Sequence, residues 1–412
     1  MNNIFEILKA RGYVYQTTHE EEIKKAVNGE PVTFYLGIDP TADSLHIGHF
    51  FALMVFRHLQ DAGHKGILVV GGATALIGDP SGKTDMRKMI TREEVKHNVE
   101  EVIALAKRFI KSDGENPAII LNNADWINPY GYIDFMRDIG IYFNINKMLA
   151  AEAYANRLEE GGLTFLEMGY MLMQAYDFVY LNKKYGCKLQ IGGSDQWGNI
   201  VAGSELGRKL SVAAGEEKDE MFGLTNPLLM TSDGKKMGKT ETGTLWVARE
   251  KTTVYDFYQY FYNVKDEDAE TLLRLFTRIE LDKIADLCRN DIMNAKRIMA
   301  FEVTKLVHGE EEAAKAETTA KSLFYGGADD ANMPTVTLAD ENFSNGKVSA
   351  VDLLVLGELA KSKREARQLI EQGGVLIGDD KISDVNHAVS KDEVKAGVII
   401  KKGKKAFKKF II

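Results

Sequence analysis

Short apolar runs alternate with longer segments of helical spacing through the first 230 residues of the chain. Four of the runs predict strands, since each is short, mostly apolar and followed by a glycine or a polar residue. They span residues 33–38, 66–70, 118–121 and 187–191. Residues 48–62 repeat apolar side chains at helical spacing and predict an amphipathic helix between the first two strands. Strands that alternate with helices indicate an α/β fold with a parallel sheet.

Three predicted helix starts carry a Ser or Thr followed, three residues later, by Glu, which is the spacing of a capping box. The pairs are Thr91 with Glu94, Thr164 with Glu167, and Ser362 with Glu365. The second pair predicts a helix that runs to about residue 185. The third predicts a basic helix that stops at two adjacent glycines, residues 373 and 374.

The pattern changes beyond residue 230, where a loop rich in Gly, Lys and Thr follows the α/β region. Helical spacing without any strand-like run predicts an all-helical domain over residues 231–325, counted with that loop. Residues 326–346 contain adjacent glycines, a proline and several Asp and Asn residues, and predict a linker. Residues 347–412 predict a small α+β module, with strands near 375–377 and 398–401. The α/β domain is therefore assigned to residues 1–230.

The composition is that of an ordinary globular protein, with 45% hydrophobic and 27% charged residues. A length of 412 residues suits about two to three domains. No run of 18 apolar residues occurs, and no basic segment followed by an apolar stretch begins the chain, so the sequence predicts neither a membrane span nor a secretory signal. Only two cysteines, Cys187 and Cys288, are present, which predicts a reducing cytoplasm and no disulfide framework.

The charge is distributed unevenly along the chain. The formal net charge is −8, yet residues 348–412 hold 13 Lys or Arg against 9 Asp or Glu. A basic module joined to an acidic body suits a polyanionic partner, because neutralising phosphates supplies most non-specific affinity for nucleic acids. A solvated basic tail is the alternative interpretation.

Two histidines lie where the first predicted strand passes into its helix. His46 and His49 are three residues apart and face the same side of the helix N-terminus. Gly48 between them lets a phosphate or ribose approach the backbone, and the helix dipole favours an anion there. Zinc binding is one alternative, although no third ligand stands near the pair. A purely structural histidine pair is another.

A second motif, Lys-Met-Gly-Lys-Thr at residues 236–240, follows the α/β region. Alone, a lysine-rich loop is typical of solvated surface. In this order, however, the two motifs resemble the HIGH and KMSKS signatures of the class I aminoacyl-tRNA synthetases. Residues 46–49 match the first signature letter for letter, whereas Gly238 and Thr240 stand where the second usually has serines.

Further polar residues narrow the resemblance within that class. Tyr170, Gln174 and Asp177 share one face of the predicted helix over 164–185, whose other positions are largely apolar. Asp79 follows the second strand, and a stretch containing Asp195 follows the strand at 187–191. With Tyr35, this set resembles the bacterial tyrosyl-tRNA synthetases over essentially the whole chain.

The resemblance implies three groups of site residues. The tyrosine-binding group is Tyr35, Asp79, Tyr170, Gln174, Asp177 and Gln196. The ATP-binding group is Asp39, His46, His49, Gly193, Asp195 and Lys239. The catalytic group is Thr41, His46, His49, Lys83, Arg87, Lys236, Lys239 and Thr240. Within the first group, Tyr35 and Asp177 are implied to bond the phenolic hydroxyl of the substrate.

The resemblance also implies a fold, an activity and partners. The fold is a Rossmann-like parallel sheet, followed by the helical domain and an RNA-binding module like one in a small-subunit ribosomal protein. The implied activity joins L-tyrosine to tRNA(Tyr) through a tyrosyl-adenylate, with Mg²⁺ entering with ATP and neither a tightly bound cofactor nor a dedicated metal site. Residues 120–160 are implied to be a connective insertion that forms a homodimer, in a cytoplasmic enzyme without membrane contact.

Three alternatives remain open from the sequence. A tryptophanyl-tRNA synthetase shares the fold and both signatures, although Tyr35 with Asp177 favours a phenol over an indole. A non-catalytic RNA-binding relative would keep the fold, although its site should have lost some of the signature residues. Another nucleotidylyltransferase of this fold has no need of the C-terminal module.

Overall fold

The computed structural model of the protein describes residues 3–81, 89–217, 220–240, 243–325, 335–378, 380–403 and 406–412. Lys83 and Arg87 lie outside these residues, and so do the side chains of Lys239 and Thr240. Residues 326–334 of the predicted linker also lie outside them. No described helix is both long enough and apolar enough to cross a membrane.

The α-helices of the described residues are α1 Ile4–Arg11, α2 Glu20–Val27, α3 Ile47–Asp61, α4 Arg92–Ala106, α5 Ala124–Ile127, α6 Tyr132–Asp138, α7 Ile145–Leu149, α8 Glu152–Glu160, α9 Phe165–Tyr185, α10 Trp197–Ala214, α11 Val254–Tyr262, α12 Asp266–Phe276, α13 Leu281–Asn290, α14 Ile292–His308, α15 Glu310–Tyr325, α16 Ala350–Leu356, α17 Lys363–Glu371 and α18 Lys391–Ala396. The strands are β1 Gln16–Thr17, β2 Thr33–Ile38, β3 Lys65–Val70, β4 Ile119–Asn122, β5 Cys187–Gly193, β6 Phe222–Asn226, β7 Lys239–Thr240, β8 Gly243–Thr244, β9 Thr335–Thr337, β10 Lys347–Ser349, β11 Val375–Ile377, β12 Asp380–Ile382, β13 Ala388–Ser390, β14 Val398–Lys402 and β15 Ala406–Ile411.

The first compact unit is built on a six-stranded sheet with the order β1-β6-β5-β2-β3-β4. Strand β1 lies at one edge and pairs antiparallel with β6. The other four pairs, β6-β5, β5-β2, β2-β3 and β3-β4, are parallel. Strands β3 and β4 extend the sheet on one side of β2, and β5 and β6 extend it on the other. A crevice therefore opens at the carboxyl ends of β2 and β5, the position where such sheets bind ligands. The predicted α/β fold with a parallel sheet is confirmed.

Two of the three predicted capping boxes form completely. Thr91 with Glu94 and Thr164 with Glu167 each exchange both bonds. At the start of α17, Ser362 accepts the N–H of Glu365, but the Glu365 carboxylate accepts the N–H of Lys361 instead of that of Ser362. The third pair is thus an N-cap without the return bond.

The helices of the predicted all-helical domain divide between two compact units. Residues 262–307 belong with the N-terminal unit, whereas residues 253–261 and 308–412 belong to the second unit. Within the first unit, Phe276 of α12 stacks on Phe50 of α3 with ring centroids 5.4 Å apart. Within the second, Tyr255 of α11 meets Phe407 edge-on at 5.0 Å. Helical spacing reveals an apolar face but not the neighbour that covers it, so the sequence could not predict this division.

The C-terminal module begins earlier than the predicted linker allows. Its five-stranded sheet has the order β12-β11-β14-β15-β9, and β9 pairs in parallel with residues 409–411. The next residue, Leu338, is buried in the module's core and donates its N–H to the carbonyl of Ile411 at 2.8 Å. The linker prediction is therefore wrong from residue 335 onward, because Asp, Asn and Gly around this short strand dominated its composition.

Candidate active site

A cleft of about 470 Å³ opens at the carboxyl edge of the sheet, between the ends of β2 and β5 and the start of α3. It brings together every described side chain that the sequence assigned to the site. These are Tyr35, Asp39, Thr41, His46, His49, Asp79, Tyr170, Gln174, Asp177, Asp195, Gln196 and Lys236, together with Gly193. A neighbouring cavity of about 540 Å³ shares Asp195 and Leu228 with the cleft.

One end of the cleft contains a buried phenol beside a buried carboxylate. The Tyr35 side chain is 2% exposed, and its hydroxyl has no hydrogen-bond partner among the described residues. Burial raises the pKa of Tyr35, and the Asp177 charge raises it further. Asp177 accepts from Asn123 Nδ2 at 3.0 Å and from Trp126 Nε1 at 2.7 Å. Burial raises the pKa of Asp177 to about 7, although these two hydrogen bonds act in the opposite direction.

Two glutamines add further unsatisfied polar atoms to the same cleft. The Oε1 atoms of Gln174 and Gln190 are buried without a partner among the described residues. Gln190 lies directly opposite Tyr35 in the pairing of β5 with β2. Because buried polar groups in folded proteins are normally hydrogen-bonded, atoms left unpaired in a cleft indicate a ligand that pairs with them.

Next to these groups lies a set of carboxylates held by neighbouring side chains. Asp39 accepts from the Tyr170 hydroxyl at 2.8 Å and from the Thr74 hydroxyl at 2.7 Å. Asp79 accepts from Gln196 Nε2 at 2.6 Å. Burial raises the pKa of Asp195, with a smaller contribution from the Asp79 charge, while Lys236 lowers it. The concentration of negative charge favours a ligand that carries an ammonium group.

The two histidines cap the helix that they begin. His46 Nδ1 accepts the N–H groups of Gly48 at 3.1 Å and His49 at 3.3 Å, and His49 Nδ1 accepts the N–H of His46 at 3.4 Å. The rings stack with centroids 3.7 Å apart. A Cβ at Gly48 would lie 3.0 Å from His46 Cε1, a tight contact with the capping ring. With Nδ1 accepting, a neutral ring carries its proton on Nε2, so each ring presents an N–H donor.

The loop that contains the second motif, residues 231–240, is called the lysine loop. Its backbone packs against the start of α3. Gly238 has φ +82°, and a Cβ at this position would lie 2.3 Å from Ile47 Cγ2. Its carbonyl accepts the N–H of Leu245 at 2.7 Å, and the N–H of Ile47 donates to the Leu245 carbonyl at 3.3 Å. A serine at residue 238 is incompatible with this arrangement. Gly238 therefore serves the conformation of the loop.

The sequence reasoning missed three side chains that support the cleft: Asn123, Trp126 and Thr74. Asn123 donates to both Asp177 and the Thr74 hydroxyl at 3.0 Å, and its own Oδ1 accepts the N–H of Ala73 at 2.8 Å. A signal for Asn123 was present, because it comes directly after β4 and so lies at the same carboxyl edge as the other site residues. Trp126 carried no such signal.

The family comparisons agree with this geometry. The model for class I tRNA synthetases of the W and Y group matches residues 27–325. The model for the tyrosine–tRNA ligase SYY-like C-terminal domain matches residues 328–410. The chain belongs to the class I tRNA synthetases of the tryptophan and tyrosine group.

Individual relatives narrow this assignment further. The tyrosine–tRNA ligase of Clostridium botulinum (strain Hall) is 50% identical over 419 residues, covering 100% of both chains. That of Acetivibrio thermocellus is 50% identical over 411 residues, covering 99% of this chain and 98% of the relative. Within the class, the chain is a member of the tyrosine–tRNA ligases.

Solved structures show the same fold. The mitochondrial tyrosyl-tRNA synthetase of Aspergillus nidulans, truncated at its C-terminus, has a TM-score of 0.70 and 28% identity, covering 79% of this chain and 95% of that one. The tyrosyl-tRNA synthetase of Archaeoglobus fulgidus, solved with L-tyrosine, has a TM-score of 0.57 and 18% identity, covering 76% and 99%. At that identity the second likeness concerns the fold alone.

Proposed function

We propose that this tyrosine–tRNA ligase binds L-tyrosine with its phenol between Tyr35 and Asp177, activates it with ATP, and transfers it to the 3′-terminal adenosine of tRNA(Tyr). The unpartnered Tyr35 hydroxyl beside the Asp177 carboxylate carries this proposal. A substrate phenol donates its proton to Asp177 and accepts from Tyr35, which satisfies both groups. Phenylalanine leaves them unpaired, and sites of this kind reject the analogue without a hydroxyl by about 10⁴–10⁵, tyrosyl-tRNA synthetases being the standard example.

The remaining polar groups of the cleft orient the amino acid. Asp79, Tyr170 and Gln174 hold the substrate ammonium group, and Gln196 lies near its carboxylate. The Gln196 bond to Asp79 supports this arrangement, since it fixes both side chains before a ligand arrives. A nucleophile held in one orientation gains much of the rate advantage of an intramolecular reaction.

Activation proceeds by in-line attack of the tyrosine carboxylate oxygen on the α-phosphorus of ATP, breaking the bond to pyrophosphate. The carboxylate arrives ionised, so no general base is required. Asp195, Gly193, Asp39 and His49 hold the nucleoside, and Thr41 and His46 contact the γ-phosphate region. Charge that develops on the phosphates is stabilised by donors already in place, among them the histidine N–H groups and the N-terminus of α3.

The two lysine-containing loops close over the departing pyrophosphate in this proposal. The residues assigned to this role are Lys83, Arg87, Lys236, Lys239 and Thr240. Mg²⁺ enters with ATP as part of the substrate. Across the described residues, no three His, Cys, Asp or Glu side chains are placed to hold a metal ion.

Transfer to tRNA uses surfaces beyond the cleft. The cavity that shares Asp195 with the cleft is lined by Trp197 and Lys147, which suit an aromatic base and a phosphate, so we assign it to the 3′ end of tRNA. In the second unit, Arg364 and Arg367 are exposed on α17 and are available for phosphate contacts.

A cytoplasmic homodimer completes the proposal. Ile133 and Ile141 of the connective insertion are 70% and 75% exposed, and Phe165 at the start of α9 is 70% exposed. Exposed apolar side chains of this size favour a protein interface. The two free cysteines suit a reducing compartment.

The test is tyrosine-dependent exchange of labelled pyrophosphate into ATP without tRNA, with phenylalanine and tryptophan as parallel substrates. Exchange with tyrosine alone supports the proposal. Exchange with tryptophan instead would assign the pocket to an indole. No exchange with any amino acid would favour an RNA-binding scaffold.

A further inference from the structure

The turn that precedes Lys236 is held from outside by helix α12. The N–H of Ser232 donates to Asp268 Oδ1 at 2.7 Å. One turn of helix earlier, Lys265 Nζ lies 3.2 Å from Asp233 Oδ2. Neither Lys265 nor Asp268 lines the cleft. Two polar contacts thus tie the lysine loop to a helix that supplies no group to the site.

Hydrogen bonds within the turn, residues 231–235, connect its residues to one another, so a displacement of one residue moves the others. The Thr231 hydroxyl donates to Asp233 Oδ1 at 2.6 Å and accepts the N–H of Lys235 at 3.2 Å. The Thr231 N–H donates to the Lys235 carbonyl at 2.8 Å. The bond from Thr231 and the ammonium of Lys265 lower the pKa of Asp233 to about 2. Displacing Ser232 or Asp233 therefore displaces the whole turn, and Lys236 is the next residue.

The opposite end of α12 is fixed to the helix that carries His46. Phe276 stacks on Phe50 of α3, with centroids 5.4 Å apart. Arg11 donates to the carbonyls of Arg274 and Thr277, both at 2.9 Å. Arg278, just beyond α12, pairs with Asp61 at the end of α3 at 2.6 Å. A helix of this length, about 16 Å, thus connects the histidine helix to the lysine loop.

We propose that Asp268 is a positioning residue for adenylate formation, which fixes the lysine loop relative to the histidine helix through the Ser232 amide. Lys265 reinforces it through Asp233. The inference rests on the proposed function, because the position of the lysines matters only where phosphate charge develops. Donors stabilise that charge only when they are already in place, and displacement by about 1 Å can cost 10²-fold in rate.

The experiment compares Asp268→Ala, Asp268→Asn and Glu267→Ala in the full chain. Asparagine keeps an oxygen acceptor for the Ser232 amide. Glu267 is an exposed acid in the same turn of α12 with no ion pair to the described loop residues, so its variant controls for lost charge. We measure kcat and KM for pyrophosphate exchange, the melting temperature, and the rate at which trypsin cleaves after Lys235 and Lys236.

We expect Asp268→Ala to lower kcat by about tenfold, with the KM for tyrosine within about twofold of the wild-type value, and to speed tryptic cleavage of the loop. Asp268→Asn should recover most of the kcat, and Glu267→Ala should match the wild type. Equal kcat and cleavage in the Asp268→Ala and Glu267→Ala variants would overturn the inference, as would a rise in the KM for tyrosine with kcat unchanged. If the wild type fails to exchange with tyrosine, the proposed function fails instead, and the cleavage rates still test the contact.

Discussion

The tyrosine end and the phosphate end of the cleft differ in the kind of group that lines them. At the tyrosine end, buried side chains carry the recognition, and several of their polar atoms have no partner within the described residues. At the phosphate end, backbone conformation determines where the donors lie, through a helix N-terminus that His46 caps and a glycine with positive φ. Selecting a neutral hydroxyl requires fixed, desolvated partners. Stabilising phosphate charge requires donors whose placement depends on loop geometry.

The largest effect is expected from His46, because it is both a helix cap and a donor at the phosphate end. Replacement by alanine removes both roles, whereas asparagine restores an acceptor for the N–H groups of Gly48 and His49. Both variants should lose about 10²–10³ in kcat for exchange. Only His46→Ala should also lose stability, by about 1 kcal/mol in urea unfolding. Full activity in His46→Asn would show that the cap alone matters and would break the contrast between the two ends.

Gly238 offers a second test of the phosphate end, with a matched control in the same loop. Gly234 also has a positive φ, +74°, but a Cβ there meets nothing within 4 Å. Gly234→Ala should therefore show only backbone strain, about 1 kcal/mol. Gly238→Ala adds the clash with Ile47 and should lower kcat for exchange by about tenfold or more, since it pushes the loop away from α3.

Truncating the opposing side chain sharpens this test. In the double variant Gly238→Ala with Ile47→Ala, the clash is relieved while the strain persists, so part of the lost kcat should return. Equal kcat values for the Gly234→Ala and Gly238→Ala variants would mean that contact with Ile47 has no part in catalysis.

The contrast between the ends also explains what the sequence could predict. The strands from residue 33 to residue 193 follow from local apolar runs, and the place of His46 at the start of a helix follows from the pattern around it. The need for glycine at residue 238 arises from a backbone conformation and a contact with Ile47, a residue nearly 200 positions away. No local pattern reports such a contact. The same limit hid β9, whose partner β15 comes more than 70 residues later.

The hydrogen-bond partners of Asp177 could not be predicted from the sequence for a similar reason. Its helix face was predictable from four- and three-residue spacing, but Trp126 and Asn123 reach it from α5 and the end of β4. Those bonds and the depth of burial together set its pKa, and neither is visible in one segment. The roles assigned to the site residues remain predictions, and variants at His46, Asp177 and Tyr35 test them.

The buried carboxyl at the tyrosine end predicts a pH-dependent stability. Asp177 has a pKa of about 7 in the folded chain, against about 3.9 when unfolded. The folded state thus binds its proton more tightly, so the contribution to stability is full below about pH 4 and is lost as the pH rises to about 7. The slope in that range is at most about 1.4 kcal/mol per pH unit. The unfolding free energy of the wild type minus that of Asp177→Asn, measured in urea from pH 5 to pH 8, should therefore fall and then level off. A flat difference would mean that Asp177 is ionised throughout.

The smallest effect comes from a single oxygen atom at the tyrosine end, and its sign is informative. The Tyr35 hydroxyl is buried without a partner among the described residues, whereas the Tyr13 hydroxyl donates to the Leu275 carbonyl at 2.5 Å. Removing the Tyr35 hydroxyl should stabilise the ligand-free protein by up to about 1 kcal/mol, since a desolvated and unpaired group is lost. Removing the Tyr13 hydroxyl should destabilise the protein by about 1 kcal/mol, because the buried Leu275 carbonyl loses its donor. Urea unfolding of Tyr35→Phe and Tyr13→Phe measures both values.

The same pair of variants separates stability from recognition. Saturating tyrosine should raise the melting temperature of the wild type and of Tyr13→Phe by more than that of Tyr35→Phe, because only the last variant lacks a group that pairs with the substrate phenol. Its preference for tyrosine over phenylalanine in exchange should also fall, by about tenfold for one lost hydrogen bond. A Tyr35→Phe variant that is less stable without ligand would place a partner on this hydroxyl, and the unsatisfied atoms at the tyrosine end would then no longer account for its selectivity.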